Sequence, residues 1–286
     1  MPLLKSGETI GLISCSDGLR PEERPLVENV IRVLTSMGLK VNMAETIYRL
    51  ADTPFSGSPA HRAGELMRLF KDPSIKVIFD LSGGDSANQI LPYLDYDSIC
   101  TSDAVFVGIS DLSVLNNAIF TRCGKISYHY RIKNLTETFA TEQKTFFLNY
   151  FMKDSVAPSF KYRWLRGHHM NGTVIGGNIR CLLKLAGTRF FPDAAEKVIF
   201  LESLGGGPAR MASLLAQLDQ LSVFSKCSGI LLGTFSTLQQ KGLTPSIERL
   251  VLEITEKYGL PVAKTEQLGH GENAGCLPIG RQLSID

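Results

Sequence analysis

The chain has 286 residues, 44% of them hydrophobic, and its 30 lysines and arginines against 28 aspartates and glutamates leave a formal net charge of +2. With no long single-sign run, that balance gives no support to a nucleic-acid polymer or a membrane surface as partner and points to a small polar ligand. A chain of this length sits where one hydrophobic core divides into two.

From Met1 the sequence passes through Gly7 into the apolar run Thr9-Ile10-Gly11-Leu12-Ile13 without a signal-peptide pattern, and no run reaches membrane-spanning length, so a cytoplasmic protein is expected. Ile10 to Ser14 is read as the first strand, followed by the polar turn Ser16-Asp17-Gly18 and a helix from about Pro21 to Ser36 that Gly38 stops. Leu39 to Met43 gives a second strand, His61 to Phe70 a helix, and Lys76 to Asp80 a third strand. This alternation implies a parallel sheet of flavodoxin- or Rossmann-like type, with helices on both faces and ligands at the carboxyl ends of the strands.

Two loops at such strand ends carry candidate chemistry. Leu81 to Asn88 contains the pair Gly83-Gly84, which lets backbone approach a ligand; it has neither the Gly-Lys pair of a phosphate loop nor G-x-G-x-x-G, so no nucleotide cofactor is expected. It reads as an oxyanion-hole lining or as a tight turn. The other loop follows the strand Ala104 to Val107: Gly108-Ile109-Ser110-Asp111-Leu112, with Leu112, Leu115, Ala118 and Ile119 at helical spacing behind it. Ser110 therefore stands between strand and helix, where a sharp turn would lift its oxygen off the sheet edge and the helix start would offer N–H groups. Position 112 is Leu, so only the first half of G-x-S-x-G is present, and a helix cap is the plainer use of such a serine.

Ile126 to Tyr128 is read as a further strand and Thr136 to Met152 as an aromatic-rich helix. Lys153 to His169, with Pro158 and Trp164, reads as an irregular connection. The second half runs through Val174-Ile175-Gly176-Gly177-Asn178, a helical stretch to Ala186, and the strand Lys197 to Leu201 that delivers Glu202. A helix from Pro208 to Leu221, a strand from Gly229 to Gly233, a helix from Ser246 to Tyr258 and a strand at Pro261 to Ala263 lead into Leu268-Gly269-His270-Gly271. Domains are accordingly expected at 1–152 and 170–286, joined by 153–169. The six cysteines, Cys15, Cys100, Cys123, Cys181, Cys227 and Cys276, form no C-x-x-C pair and read as reduced core thiols. No H-E-x-x-H or cysteine cluster has metal-ligand spacing, so no metal is expected.

A serine nucleophile needs a base within reach, and the base needs an acid that sets its tautomer. His61 lies on a helix, His129 follows a strand, and His168 and His169 fall in the connection; His270, flanked by glycines, belongs to an open loop. Glu202 ends an apolar strand, but so does Asp80, while Asp111 is too close to Ser110 along the chain to orient a histidine easily. The residues alone leave Glu202 and Asp80 as rivals.

Taken together, Gly83 to Asp97, Gly108-Ile109-Ser110-Asp111, Gly176-Gly177-Asn178 with Leu185-Ala186-Gly187-Thr188, Phe200-Leu201-Glu202, and Gly269-His270 with Leu277-Pro278-Ile279-Gly280 resemble the LD-carboxypeptidase family of serine peptidases, in order over nearly the whole chain. The resemblance implies an N-terminal nucleophile domain, a smaller C-terminal α/β domain and an active site in the cleft between them. It implies Ser110 as nucleophile, Glu202 as acid, His270 as base, the backbone N–H groups of Gly84 and Asp111 as oxyanion hole, and substrate contacts at Gly83, Asp85 and Ser86. The expected substrate is a small peptide, a murein tetrapeptide cut at its L,D bond during wall recycling. Alternatives are a peptidyl- or aminoacyl-nucleotide amide, as in microcin C immunity, or a silent ligand-binding module. No cofactor is expected, and a homodimer is. Where relatives carry a Ser-Pro-Ser type turn this chain has Ser14-Cys15-Ser16, and the segment before the second domain is short and basic.

Overall fold

A computed structural model describes residues 2–153 and 160–286. Thr9–Ile13 (β1), Lys40–Met43 (β2), Ile75–Asp80 (β3), Val105–Val107 (β4) and Ser127–His129 (β5) form a parallel sheet. β1 and β3 are apolar runs with almost every residue buried, as central parallel strands require. Spatial order is 2-1-3-4-5, so the side on which successive strands are added switches between β1 and β3. That switch opens a crevice at their carboxyl ends, where the loops after β1 and β3 part. Arg24–Ser36 (α1), Pro59–Lys71 (α2), Tyr96–Thr101 (α3), Ser113–Cys123 (α4) and Ala140–Phe147 (α5) cover the sheet, with one apolar cluster on each face. α2 begins where the residue types direct, with Ser58 Oγ accepting the N–H of His61 and Pro59 in the first turn.

The second sheet contains Arg163–Arg166 (β6), Met170–Asn178 (β7), Lys197–Ser203 (β8), Gly229–Phe235 (β9) and Val262–Lys264 (β10), with Ile179–Leu183 (α6) and Pro208–Gln220 (α7) packed near its first strands. β7 to β10 are parallel and neighbours in chain order. Leu277–Ile279 (β11) crosses back to pair antiparallel with β5 of the first sheet, and Gln282–Ile285 (β12) then closes the second sheet antiparallel to β7. The molecule is thus two α/β sheets, each parallel within, the first antiparallel at its β11 edge and the second at both edges, β12 and β6.

Several local expectations change. The stretch read as an irregular connection contains a strand: Phe160, Tyr162 and Trp164 alternate onto the core under β10, a period-two pattern masked by the basic residues between them. Pro158 lies outside the described residues. The helix expected over 136–152 is broken into a 3-10 turn at Ile132–Thr136, α5, and a single π turn at Leu148–Met152. Cys100 and Cys123 are disulfide-bonded, joining α3 to α4, while Cys15, Cys181, Cys227 and Cys276 are buried free thiols. The reduced-thiol reading fails for that pair because the packing of two helix ends, 23 residues apart in sequence, brings them together.

The halves interlock through α4. Asn117 Nδ2 donates to Gly176 O at 2.8 Å, Gly176 N–H returns a bond to Asn117 Oδ1 at 2.8 Å, and Asn178 N–H donates to Ser113 Oγ at 2.9 Å. Gly176 has φ of +108°, and a Cβ there would collide with the carbonyl of Phe200 on β8. Backbone is therefore all that fits where the second sheet meets the helix behind Ser110.

Candidate active site

β4 runs into extended Ile109 and then Ser110, whose φ of +61° is the left-handed region that a residue with a Cβ rarely adopts, at a cost of about 1–3 kcal/mol. The 3-10 turn Ser110–Leu112 leads into α4. Gly108 N–H donates to Tyr128 O at 2.9 Å and Asn116 Nδ2 to Gly108 O at 3.0 Å, fastening the turn to β5 and to the helix. Among the described residues the N–H of Asp111 donates to no acceptor, and neither does that of Gly84.

Gly84 has φ of +127°, and a Cβ on it would collide with the carboxyl group of Asp17. The close approach of the β1 and β3 loops demands glycine there. Asp17 N–H donates to Gly83 O at 3.2 Å and Asp17 Oδ1 accepts Ser86 Oγ at 2.7 Å. Beneath them Arg62, fully buried, donates to Cys15 O at 2.7 Å, Ser16 O at 3.0 Å and Gln89 Oε1 at 2.8 Å. Asp111 is fully buried beside this network: Oδ2 accepts Ser16 Oγ at 2.6 Å and Ala87 N–H at 2.8 Å, and Oδ1 meets the ammonium of Lys184 from the second half. Its carboxylate ties three loops to the residue after Ser110 and reaches no histidine.

β8 ends on Glu202, fully buried, whose Oε2 meets Nδ1 of His270. His270 comes from the loop after β10, and its N–H donates to Thr234 Oγ1 at 3.0 Å, at the end of β9. Neighbouring strands thus carry Glu202 and the anchor of the His270 loop. Burial alone would push the Glu202 carboxyl up, but His270 and then His129 pull it down to about 2. Asp80, the rival acid, is saturated by Cys15 N–H at 2.8 Å, Ser82 N–H at 2.7 Å and Ser82 Oγ at 2.5 Å, and burial raises its pKa against those bonds. It meets no histidine.

Ser110 and His270 share a cavity of about 210 Å³ with Gly83, Gly84, Arg131 and Lys133. On one side Ser110, Gly84 and Asp85 open into a second cavity of about 310 Å³ with Asn178, Arg180 and Arg210. On the other, His270 opens into a third of about 570 Å³ with Arg131, Glu137 and Glu272. Exposed Leu204 borders all three.

Of the loop residues expected beside substrate, Gly83 and Asp85 line cavities, Asp85 with its carboxylate held by Arg180 and Lys184. Ser86 is buried, bonded to Asp17 and Arg62, and lines none of these three cavities; it braces the loop from behind. His61 pairs with Glu45 at 3.6 Å and His169 with Asp286, both away from Ser110. His129, which the sequence places just after a strand, is the last residue of β5 and lies against Glu202: its Nε2 is 3.8 Å from Glu202 Oε1. Asp17, Arg62 and Lys184 carry no sequence signal for this bracing, since the contacts they make are with loops far along the chain. Among the described residues no group of three or more His, Cys, Asp or Glu side chains could hold a metal ion, and no helix is long and apolar enough to cross a membrane.

The family model for the LD-carboxypeptidase N-terminal domain matches residues 10–130, and that for the LD-carboxypeptidase C-terminal domain matches residues 171–285. The microcin C7 self-immunity protein MccF of Escherichia coli is 25% identical over 99% of this chain and 92% of its own length. The murein tetrapeptide carboxypeptidase of Pseudomonas aeruginosa is 27% identical over 91% of this chain and 88% of its own. A structure of MccF in complex with glutamyl sulfamoyl guanosine superposes with a TM-score of 0.86, at 22% identity, covering 100% of this chain and 96% of that one.

Proposed function

Since the chain belongs to the LD-carboxypeptidase family, we propose that it is a serine carboxypeptidase whose triad is Ser110, His270 and Glu202. The observation that carries this is the convergence in one cavity of a serine on a left-handed turn and a histidine held by a buried glutamate. Ser110 Oγ attacks the scissile carbonyl as His270 Nε2 takes its proton, Glu202 stabilising the imidazolium through Nδ1. The unengaged N–H groups of Gly84 and Asp111 receive the oxyanion. His270 then protonates the departing amine, and water returns along the same path to free the acyl group.

Substrate direction follows from proton delivery. The leaving amine must lie on the side that His270 lines, and the acyl group in the cavity bearing Arg180 and Arg210. Arg180 is committed to Asp85, while Arg210 forms no ion pair among the described residues. A free cation on the acyl side supports an acyl group with carboxylates, as in a cytoplasmic murein tetrapeptide cut before its terminal D-amino acid. The volume beside His270, about 570 Å³, exceeds what one amino acid needs and supports the second reading, an aminoacyl- or peptidyl-nucleotide amide like those of MccF. Purified protein is given murein tetrapeptide, its LL-diastereomer and aspartyl sulfamoyl adenosine in parallel. Release of D-amino acid from the first alone is expected; cleavage of the nucleotide amide alone selects the second reading, and no turnover with no labelling by an active-serine probe refutes both.

A further inference from the structure

β5 carries His129, 1% exposed, with its ring edge-on to Phe200 at 5.2 Å and the backbone of Gly177 against its Cδ2 side. Nε2 of His129 and Oε1 of Glu202 are both buried and both lack a hydrogen-bond partner among the described residues. They face each other at 3.8 Å. An unmatched donor and an unmatched carboxylate oxygen, side by side out of water, are each costly alone and mutually compensating when paired. Hydrogen bonds of catalytic groups are often long in a free site and shorten around substrate.

We infer that His129 is a positioning residue for the acid, its Nε2–H donating to Glu202 Oε1 so that the carboxylate is clamped between two imidazoles. Glu202 then has no freedom to rotate about its terminal torsion, and Oε2 stays aimed at His270 Nδ1. That keeps the proton of His270 on Nδ1 and leaves Nε2 bare toward Ser110. His129 retains its own proton throughout; the proton that moves is that of Ser110, through His270 to the leaving amine. Pairing of β5 with β4 on one side and antiparallel with β11 on the other holds the backbone that carries the second imidazole.

This role rests on the hydrolase reading, and its test separates the two. His129→Leu removes the donor, and His129→Gln keeps an N–H at similar reach. In correctly folded protein kcat should fall about 10- to 100-fold in the Leu variant with KM unchanged, as for other residues that orient a catalytic ligand from behind, and the Gln variant should recover most of it. A Leu variant of native melting temperature with wild-type kcat, or equal losses in both variants, overturns the inference. Nitrogen-15 histidine NMR of the wild-type protein decides the matter should the variants misfold: His129 Nε2 is expected to carry a proton and to shift in Glu202→Gln, and a bare or unmoved Nε2 overturns the clamp. Wild-type protein inert toward both substrate classes refutes the hydrolase reading, and the same spectra still decide the contact.

Discussion

Ser110 combines a strained backbone with an oxygen presented to a cavity, and the two properties separate by substitution. Ser110→Ala should lose on the order of 10⁶ in kcat with little change in melting temperature. Ser110→Gly, equally inactive, should be more stable by about 1 kcal/mol, because glycine adopts the φ of +61° without a Cβ clash. Denaturant titration of both variants checks this, and a Gly variant less stable than wild type contradicts it. Glu202→Gln keeps the shape of the acid and loses its charge, so kcat should fall by about 10³ to 10⁴ with KM nearly constant. Asp80→Asn sets an amide NH2 against one of the loop donors and should cost stability, yet with no histidine beside it the folded protein should retain the greater part of kcat; the reverse ranking would hand the acid's role to Asp80. Glu202 also sets a sign for acid stability. Its carboxyl lies at about 2 in the fold against an ordinary 4.5, so it adds stability at every pH above 4.5, and that stability drains away as pH falls from 4.5 through 2. Glu202→Gln should therefore show a shallower loss of stability across that window, read by urea unfolding at stepped pH.

Three loops at the carboxyl ends of β1, β3 and β4 act as one element because buried charges fasten them. Arg62 binds the first two from below, Asp111 joins all three, and Lys184 reaches across from the residues just past α6 to balance Asp111. The geometry of the free N–H at Gly84 depends on this bracing, since its loop touches Asp17 where a side chain would stand. Gly84→Ala should displace that loop and cost about 10² to 10³ in kcat, the usual loss of one oxyanion donor, with a lowered melting temperature, since its Cβ meets the Asp17 carboxyl at a φ of +127°. Unimpaired turnover in a folded Gly84→Ala protein would remove this N–H from the reaction. The turn at Ser110 and the glycine pair were legible as loops on the strand–helix alternation. Their cross-bracing was not, because Arg62 and Asp111 are charged residues of a type usually exposed, and only the hydrogen bonds they make to loop backbone, Ser16, Ser86, Gln89 and Lys184 allow them to be buried.

At the scale of the whole molecule, the cleft exists because two sheets are locked at a fixed angle by α4. Asn117 satisfies both backbone groups of Gly176, and its loss leaves them orphaned where water does not reach. Asn117→Ala should destabilise the protein by about 2–3 kcal/mol and lower kcat more than a surface substitution of equal ΔΔG, since Ser110 and the acid–base pair sit on opposite sides of that joint. A separate low-temperature transition in calorimetry would show the halves unfolding apart. Stability within about 0.5 kcal/mol of wild type would show the joint to be held elsewhere.

The α/β class and the strand ends on which Ser110 and Glu202 stand are legible along the chain, because strand burial and helix spacing are written as periodicities; the two halves follow from length, and the family from the order of its motifs. Asp80 and Glu202 carry the same local signature, a carboxylate closing a buried strand, and nothing along the chain separates them. The tertiary structure alone brings His270 against Glu202 and the donors of Cys15 and Ser82 against Asp80, which supports Glu202 as the proposed acid. It alone also set His129 against Glu202, bonded Cys100 to Cys123, and returned β11 to the first sheet. Each of these is a contact between residues distant in sequence, made by packing whole elements, and a single chain records the period of an element but not the neighbour against which it will rest.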